Sequence, residues 1–238
     1  MPLTPEQEWT LVGCGLVAHA DDILEVGEWD RLLRLVEGGL DDEEQETWLS
    51  VLTDRAALEK RFDELDVPEP SIHEELLRQA WGIALADGHG SEVECAVHDR
   101  IADKLGVAPE RVDELRGSWT QQAFKRAELV VAFAAAMANL DGRMDNEEAV
   151  QFDALIERLP LPVNRRLDLS ALLYQPPSLD TLAEQLALAE PSEREAVLED
   201  IVPVIRASSR GDRERDAFLD LADRAGIGRD RALALLSA

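Results

Sequence analysis

Apolar residues recur three and four positions apart along most of the chain, as in Leu32-Leu35-Val36, Leu76-Leu77-Ala80-Trp81-Ile83-Ala84, Val130-Phe133-Ala134-Met137 and Leu233-Leu236. That spacing places them on one face of a helix. No segment carries the sustained alternation of a strand. Glycine and proline gather between the periodic stretches, at Gly38-Gly39, Pro68 to Pro70, Gly88 to Gly90, Pro160 to Pro162 and Pro176-Pro177. The pattern predicts an all-α protein of about fourteen short helices.

One unit returns along the chain: an apolar helix, a short acidic turn, then a second amphipathic helix that opens with acid. Two copies are clean. Asp87-Gly88 is followed by Glu94, and Asp141-Gly142 by Glu148, each glutamate seven residues after its aspartate. A third copy keeps the spacing in Asp21 and Glu28 but has Asp22 in place of the glycine. The fourth is eroded and offers Ser209 and Asp216, while its sequel Leu221-Ala222-Asp223-Arg224-Ala225-Gly226-Ile227 echoes Ile101-Ala102-Asp103-Lys104-Leu105-Gly106-Val107. Asp21 and Asp87 are 66 residues apart, Asp141 and Ser209 are 68 apart, and Asp21 and Asp141 are 120 apart. Two copies therefore make a half and two halves make the chain, with domains at 1–120 and 121–238 and a boundary near Gly117 to Gln122.

Charge then narrows the partners. The chain has 238 residues, 50 acids against 24 bases, and a net charge of −26. Such a field repels nucleic-acid backbones and anionic lipid, which argues against both as partners. The acidity is concentrated in residues 1–120, with 29 acids and 10 bases. No apolar run approaches the roughly 20 residues that span a bilayer. The acidic, proline-bearing start predicts a cytoplasmic protein with no direct membrane insertion. Cys14 and Cys95 lie among apolar helical residues and are expected as buried thiols. All five tryptophans, at 9, 29, 48, 81 and 119, are expected in the core.

The repeated turn has a structural reading. Glycine ends the first helix in a left-handed cap, Ser91 or Asp145 caps the next, and Glu94 or Glu148 closes a capping box. This leaves Asp21, Asp87 and Asp141 unexplained, because the helix macrodipole disfavours an acid at a C-terminus. Asp-Gly followed by five residues and Glu is also the second half of an EF-hand loop, although its first half is absent. Should the two turns of one half face each other, Asp21, Glu28, Asp87 and Glu94 form a four-carboxylate set. Like charges so placed raise one another's pKa values or demand a cation, and oxygen donors favour Ca²⁺ or Mg²⁺ over Zn²⁺. The second half offers Asp141, Glu148 and Asp216, a weaker set. His89 and His98 have spacing that transition metals use, but they are expected to be surface residues.

The apolar helix, the Ala86-Asp87-Gly88 turn, Ser91, Glu94 and the tail Leu105-Gly106-Val107 resemble the tellurite-resistance TerB family. That family is in turn similar to the N-terminal part of membrane-anchored DnaJ-like co-chaperones. Residues 10–53 resemble its first half-domain and residues 73–116 its second, so that 1–120 resembles a whole domain and 121–238 a second copy with a degenerate last turn. The resemblance implies about seven helices per domain and an acidic face that binds metal ions. The metal positions carried over are Asp21, Glu28, Asp87, Glu94, Asp141 and Glu148. It implies no catalysis, and a role in tellurite or chemical stress with protein partners. No nucleophile elbow, phosphate-binding GxxxxGK or HExxH sequence is present, so no enzyme is expected. The expectation is a non-catalytic tandem module that binds divalent cations in stress response; the alternative is a metal-free helical adaptor.

Overall fold

The computed structural model describes residues 3–21, 26–86, 88–140, 146–207 and 212–237. Among them every regular element is helical, as the apolar spacing predicts. In chain order these are α1 (Pro5–Ala18), α2 (Val26–Gly39), α3 (Asp42–Leu52), α4 (Arg55–Glu64), α5 (His73–Ala84), α6 (Glu92–Leu105), α7 (Pro109–Ala138), α8 (Asn146–Arg158), α9 (Val163–Ser170), α10 (Leu179–Ala187), α11 (Pro191–Ala207), α12 (Asp212–Arg224) and α13 (Arg229–Ser237). Single 3₁₀ turns precede α5, at Pro70–Ile72, and follow α9, at Ala171–Leu173. No helix of the described residues is long and apolar enough to cross a membrane.

The starts of the helices follow from local chemistry. Thr4, Asp41 and Ser91 each accept a hydrogen bond from the third backbone N–H of their helix, and Gln7, Glu44 and Glu94 reach back to the cap in full capping boxes. Each such cap is worth about 1 kcal/mol.

The chain divides into two units, Met1–Gln121 and Gln122–Ala238. In the first, α1 is the central helix and packs against α2, α4, α5 and α6. Its residues from Leu11 to Ala18 are all buried. Gly15 is required there, because a Cβ would lie 2.9 Å from methyl groups of both Leu52 and Leu58. Trp9 packs edge-on against Phe62 and donates from Nε1 to the Asp66 carbonyl at 2.7 Å. In the second unit the core is formed by the latter part of α7 (Val130, Phe133, Met137) with Phe152, Ile156, Leu182, Val197, Ile201 and Phe218. Arginines close its helix ends: Arg194 donates to the Ala225 carbonyl at 2.9 Å and Arg206 to that of Leu235 at 3.1 Å.

The division between the units falls within Gly117 to Gln122, and α7 is continuous through it. Gly117 and Ser118 are poor helix formers, yet one glycine costs a helix only about 1 kcal/mol. Thr120, just beyond, is held by Trp81 Nε1 at 3.0 Å. Thirteen α-helices are therefore seen among the described residues rather than fourteen.

Several features recur at an offset of 120 residues. Gly106 and Gly226 end α6 and α12 with φ of 72° and 77°. Behind them Val107 N–H bonds the Ala102 carbonyl at 3.0 Å and Ile227 N–H that of Ala222 at 2.8 Å. Leu32 and Phe152, and Val36 and Ile156, occupy the same buried positions of α2 and α8.

Candidate functional site

The turn between α5 and α6 is built from its ends inward. α5 stops at Ala84, where Leu85 N–H bonds the Trp81 carbonyl and Ala86 N–H that of Ile83. Gly88 follows with φ of 94°, its N–H on the Leu85 carbonyl at 3.1 Å. The glycine thus lies beyond the helix end rather than forming its left-handed cap, a correction to the sequence reading. Leu85 and Ala86 take the Trp81 and Ile83 carbonyls before the glycine is reached. Gly90 is needed for a different reason: a Cβ there would lie 2.2 Å from Trp81 Cη2. The capping box is as expected, with Ser91 N–H on Glu94 Oε2 at 2.6 Å and Glu94 N–H on Ser91 Oγ at 3.3 Å. Glu94 is 8% exposed.

In the corresponding first turn, α1 ends at Ala18 and His19 Nε2 bonds the Leu52 carbonyl at 2.7 Å, which fixes the chain just before Asp21. Asp21 is exposed. Across the turn, Glu28 stands in the first helical turn of α2 and is 6% exposed. Buried carboxylates are uncommon, and in this unit both glutamates of the repeat are buried at helix N-termini, where the macrodipole favours their charge. The two turns approach each other. A Cβ on Gly27, the neighbour of Glu28, would lie 3.4 Å from Ala86 Cβ and 3.7 Å from the Ala86 carbonyl oxygen, and Ala86 directly precedes Asp87.

Asp87 and Asp141 lie outside the described residues, as do Asp22, Asp145, Ser209 and the side chain of Glu148. Among the described residues no three His, Cys, Asp or Glu side chains gather as a metal site would require.

Three placements correct or extend the sequence reading. His98 is an interior residue, 0% exposed, rather than a surface one. Its Nε2 bonds the Leu77 carbonyl at 3.0 Å, and its ring meets Trp81 and Trp119 edge-to-face at centroid distances of 5.4 and 6.5 Å. A carbonyl only accepts, so Nε2 carries the proton, and Nδ1 has no hydrogen-bond partner among the described residues. Burial pushes its pKa below the ordinary value, against the Leu77 bond that favours the charged form; Arg116 lowers it further and Asp99 raises it. The ring is thus enclosed within the first unit. His89 is exposed as expected.

In the second unit, the acid equivalent to Glu94 is Glu214 rather than Asp216. Glu214 is 3% exposed and Asp216 is exposed, and the 120-residue offset of the helix tails pairs Glu94 with Glu214. Counting seven residues on from Ser209 missed this, because the turn before α12 differs in length from its counterpart. Finally, Asn139 stands at the position of His19 and does its work: Nδ2 donates to the Leu173 carbonyl at 2.9 Å, beside the Ala135 carbonyl at 2.9 Å. Gly27, Gly90, His19 and Asn139 escaped the sequence reading. Only the constant offset between His19 and Asn139 could have pointed to the last two.

Cys14 is fully enclosed in α1, and burial pushes its thiol up to about 12. Cys95 is half-buried on α6 rather than enclosed.

Residues 7–117 match the family model described as Tellurite resistance protein TerB. Among curated proteins and among solved structures, none matches the chain.

Proposed function

We propose that the TerB-like domain formed by residues 7–117 is a non-catalytic cation-binding module of a tellurite or related chemical stress response, acting in the cytoplasm with protein partners. A divalent cation is held by Asp21, Glu28, Asp87 and Glu94. The observation that carries this reading is the approach of Gly27 to Ala86, which puts the start of α2, with buried Glu28, beside the residue preceding Asp87. These four donors are carboxylate oxygens, so Ca²⁺ or Mg²⁺ fits better than Zn²⁺. We read residues 121–238 as a second TerB-like copy, supported by the matching αL glycines and the His19–Asn139 pair. There Asp141, Glu148 and Glu214 are the acids, and the loss of an equivalent to Asp87 makes this the weaker site.

The test is thermal unfolding of chelator-treated protein with Ca²⁺, Mg²⁺, Mn²⁺ or Zn²⁺ added at physiological ionic strength. Wild type is compared with Asp21→Asn/Asp87→Asn. An ion at a hundred times its dissociation constant adds about 2.7 kcal/mol, and the double variant loses that gain. Equal response of both proteins, or none, refutes the site and favours the metal-free adaptor.

A further inference from the structure

Away from the acidic turns, the first unit has a cleft of about 300 Å³ between α1, α2 and the start of α5. Leu11 and Leu76 are buried at its base, and half-buried Leu35, Leu40 and Ile72 form its walls. This is the lower end of the size of ligand sites. Glu6 and Glu75 stand at the same cleft. Burial at the cleft opposes ionisation of Glu75, but hydrogen bonds from Arg78 and Gln79 and the Arg78 charge outweigh it and hold the carboxyl below its ordinary value. Glu75 is thus ion-paired with Arg78, and the negative charge left at the mouth is that of Glu6, on a half-chain of 29 acids and 10 bases.

Gln79 adds a second feature. Its Nε2 donates to Glu75 Oε1 at 2.8 Å, and a carboxylate only accepts, so the orientation of the amide is fixed. The other end, Oε1, is enclosed and has no hydrogen-bond partner among the described residues.

The walls are helices and a 3₁₀ turn whose backbone groups are already bonded, so they offer no edge to an extended peptide. A partner must bring its own satisfied backbone and use side chains, as a helix does. We infer that this cleft docks an amphipathic helix of a partner protein, with leucine-like anchors on one face and lysine or arginine beside them. The leucines fill the cleft over Leu11 and Leu76, and the flanking cations meet Glu6 in the negative field of the half-chain. An acidic or purely polar segment is excluded by the field and by the apolar base.

The cleft does not involve the cation reading, and its test is run in chelator so that the two stand or fall separately. The probe is a fluorescein-labelled Leu/Lys peptide of about 14 residues with leucines at i, i+3, i+4 and i+7, titrated by anisotropy at about 0.15 M salt. The full chain is used, and circular dichroism checks each variant for folding. Thr10→Trp fills the cleft and is expected to weaken binding at least tenfold; so is replacement of the peptide leucines by alanine at unchanged charge. Glu6→Lys is expected to weaken binding several-fold more than Glu46→Lys, an identical charge change on the exposed face of α3. If affinity follows charge alone, with the alanine peptide binding equally well and Glu6→Lys and Glu46→Lys indistinguishable, the docking site is refuted.

Discussion

Gly90→Ala tests the packing logic of the second acidic turn. The backbone at Gly90 is outside the left-handed region, so alanine introduces no dihedral strain; the whole effect is spatial. Its Cβ would fall 2.2 Å from Trp81 Cη2, 2.8 Å from Cζ3 and 3.0 Å from Cζ2, all on the six-membered ring of one indole. That ring cannot swing aside cheaply. It is 5% exposed, tied by Nε1 to Thr120 at 3.0 Å, edge-on to His98 and covered by the Arg116 guanidinium at 5.5 Å. Overpacking of this kind costs about 1–3 kcal/mol, or a Tm loss of about 4–8 °C for a mid-range cost in a chain this long. The assay is a double-mutant cycle on thermal and urea unfolding with Trp81→Phe, whose shorter ring vacates the atoms in conflict. Gly90→Ala is expected to cost at least about 1 kcal/mol less in the Trp81→Phe background. Gly88→Ala is the control: its penalty arises from φ of 94° and is expected to survive Trp81→Phe unchanged. A Tm for Gly90→Ala within about 1 °C of wild type, or a cycle with no coupling, would refute the reasoning.

His98 gives the fold a pH dependence of definite sign. Folding lowers its proton affinity below the ordinary value of 6.5, so the unfolded chain binds more protons at and below that pH. Stability is complete above about pH 6.5 and falls as pH drops toward the folded-state value; His98→Gln, which keeps a donor for Leu77, is expected to flatten urea midpoints between about pH 5.5 and 7. An unchanged slope in that variant would show that other groups carry it. Thiol labelling of the native protein is expected to modify Cys95 well before Cys14, whose thiol is enclosed and raised to about 12. Two equally fast thiols would contradict the packing of α1. Ser91→Ala is expected to cost about 1 kcal/mol through loss of the capping box, measured by urea unfolding, and no loss would mean that water caps α6 equally well.

What the sequence revealed was local. Apolar spacing located the helices, and Ser91 with Glu94 three residues on announced the start of α6, because both signals arise within one or two turns of chain. The failures were all non-local. His98 sits four residues after Glu94 and reads as one more polar position, but its burial comes from Trp81 and Trp119, which belong to other helices. Gly90 looks like any turn glycine until the indole beneath it is in place. Seven residues on from Ser209 lies Asp216, whereas the equivalence of Gly106 and Gly226 at the helix tails pairs Glu94 with Glu214. Of the six metal positions carried by the resemblance, the structure describes the side chains of Asp21, Glu28 and Glu94, two of them buried.

The tryptophans have a consequence for anyone who studies the protein in solution. All five lie in Met1–Gln121, with Trp9, Trp48 and Trp81 buried, while Gln122–Ala238 holds only the exposed Tyr174 among fluorophores of this kind. Tryptophan emission is therefore a private channel for the first unit, whereas helical dichroism is shared by both. Overlaid melts in the two signals would mean that the halves unfold as one; an emission curve that separates from the dichroism would give each half its own free energy, with no label and no truncation.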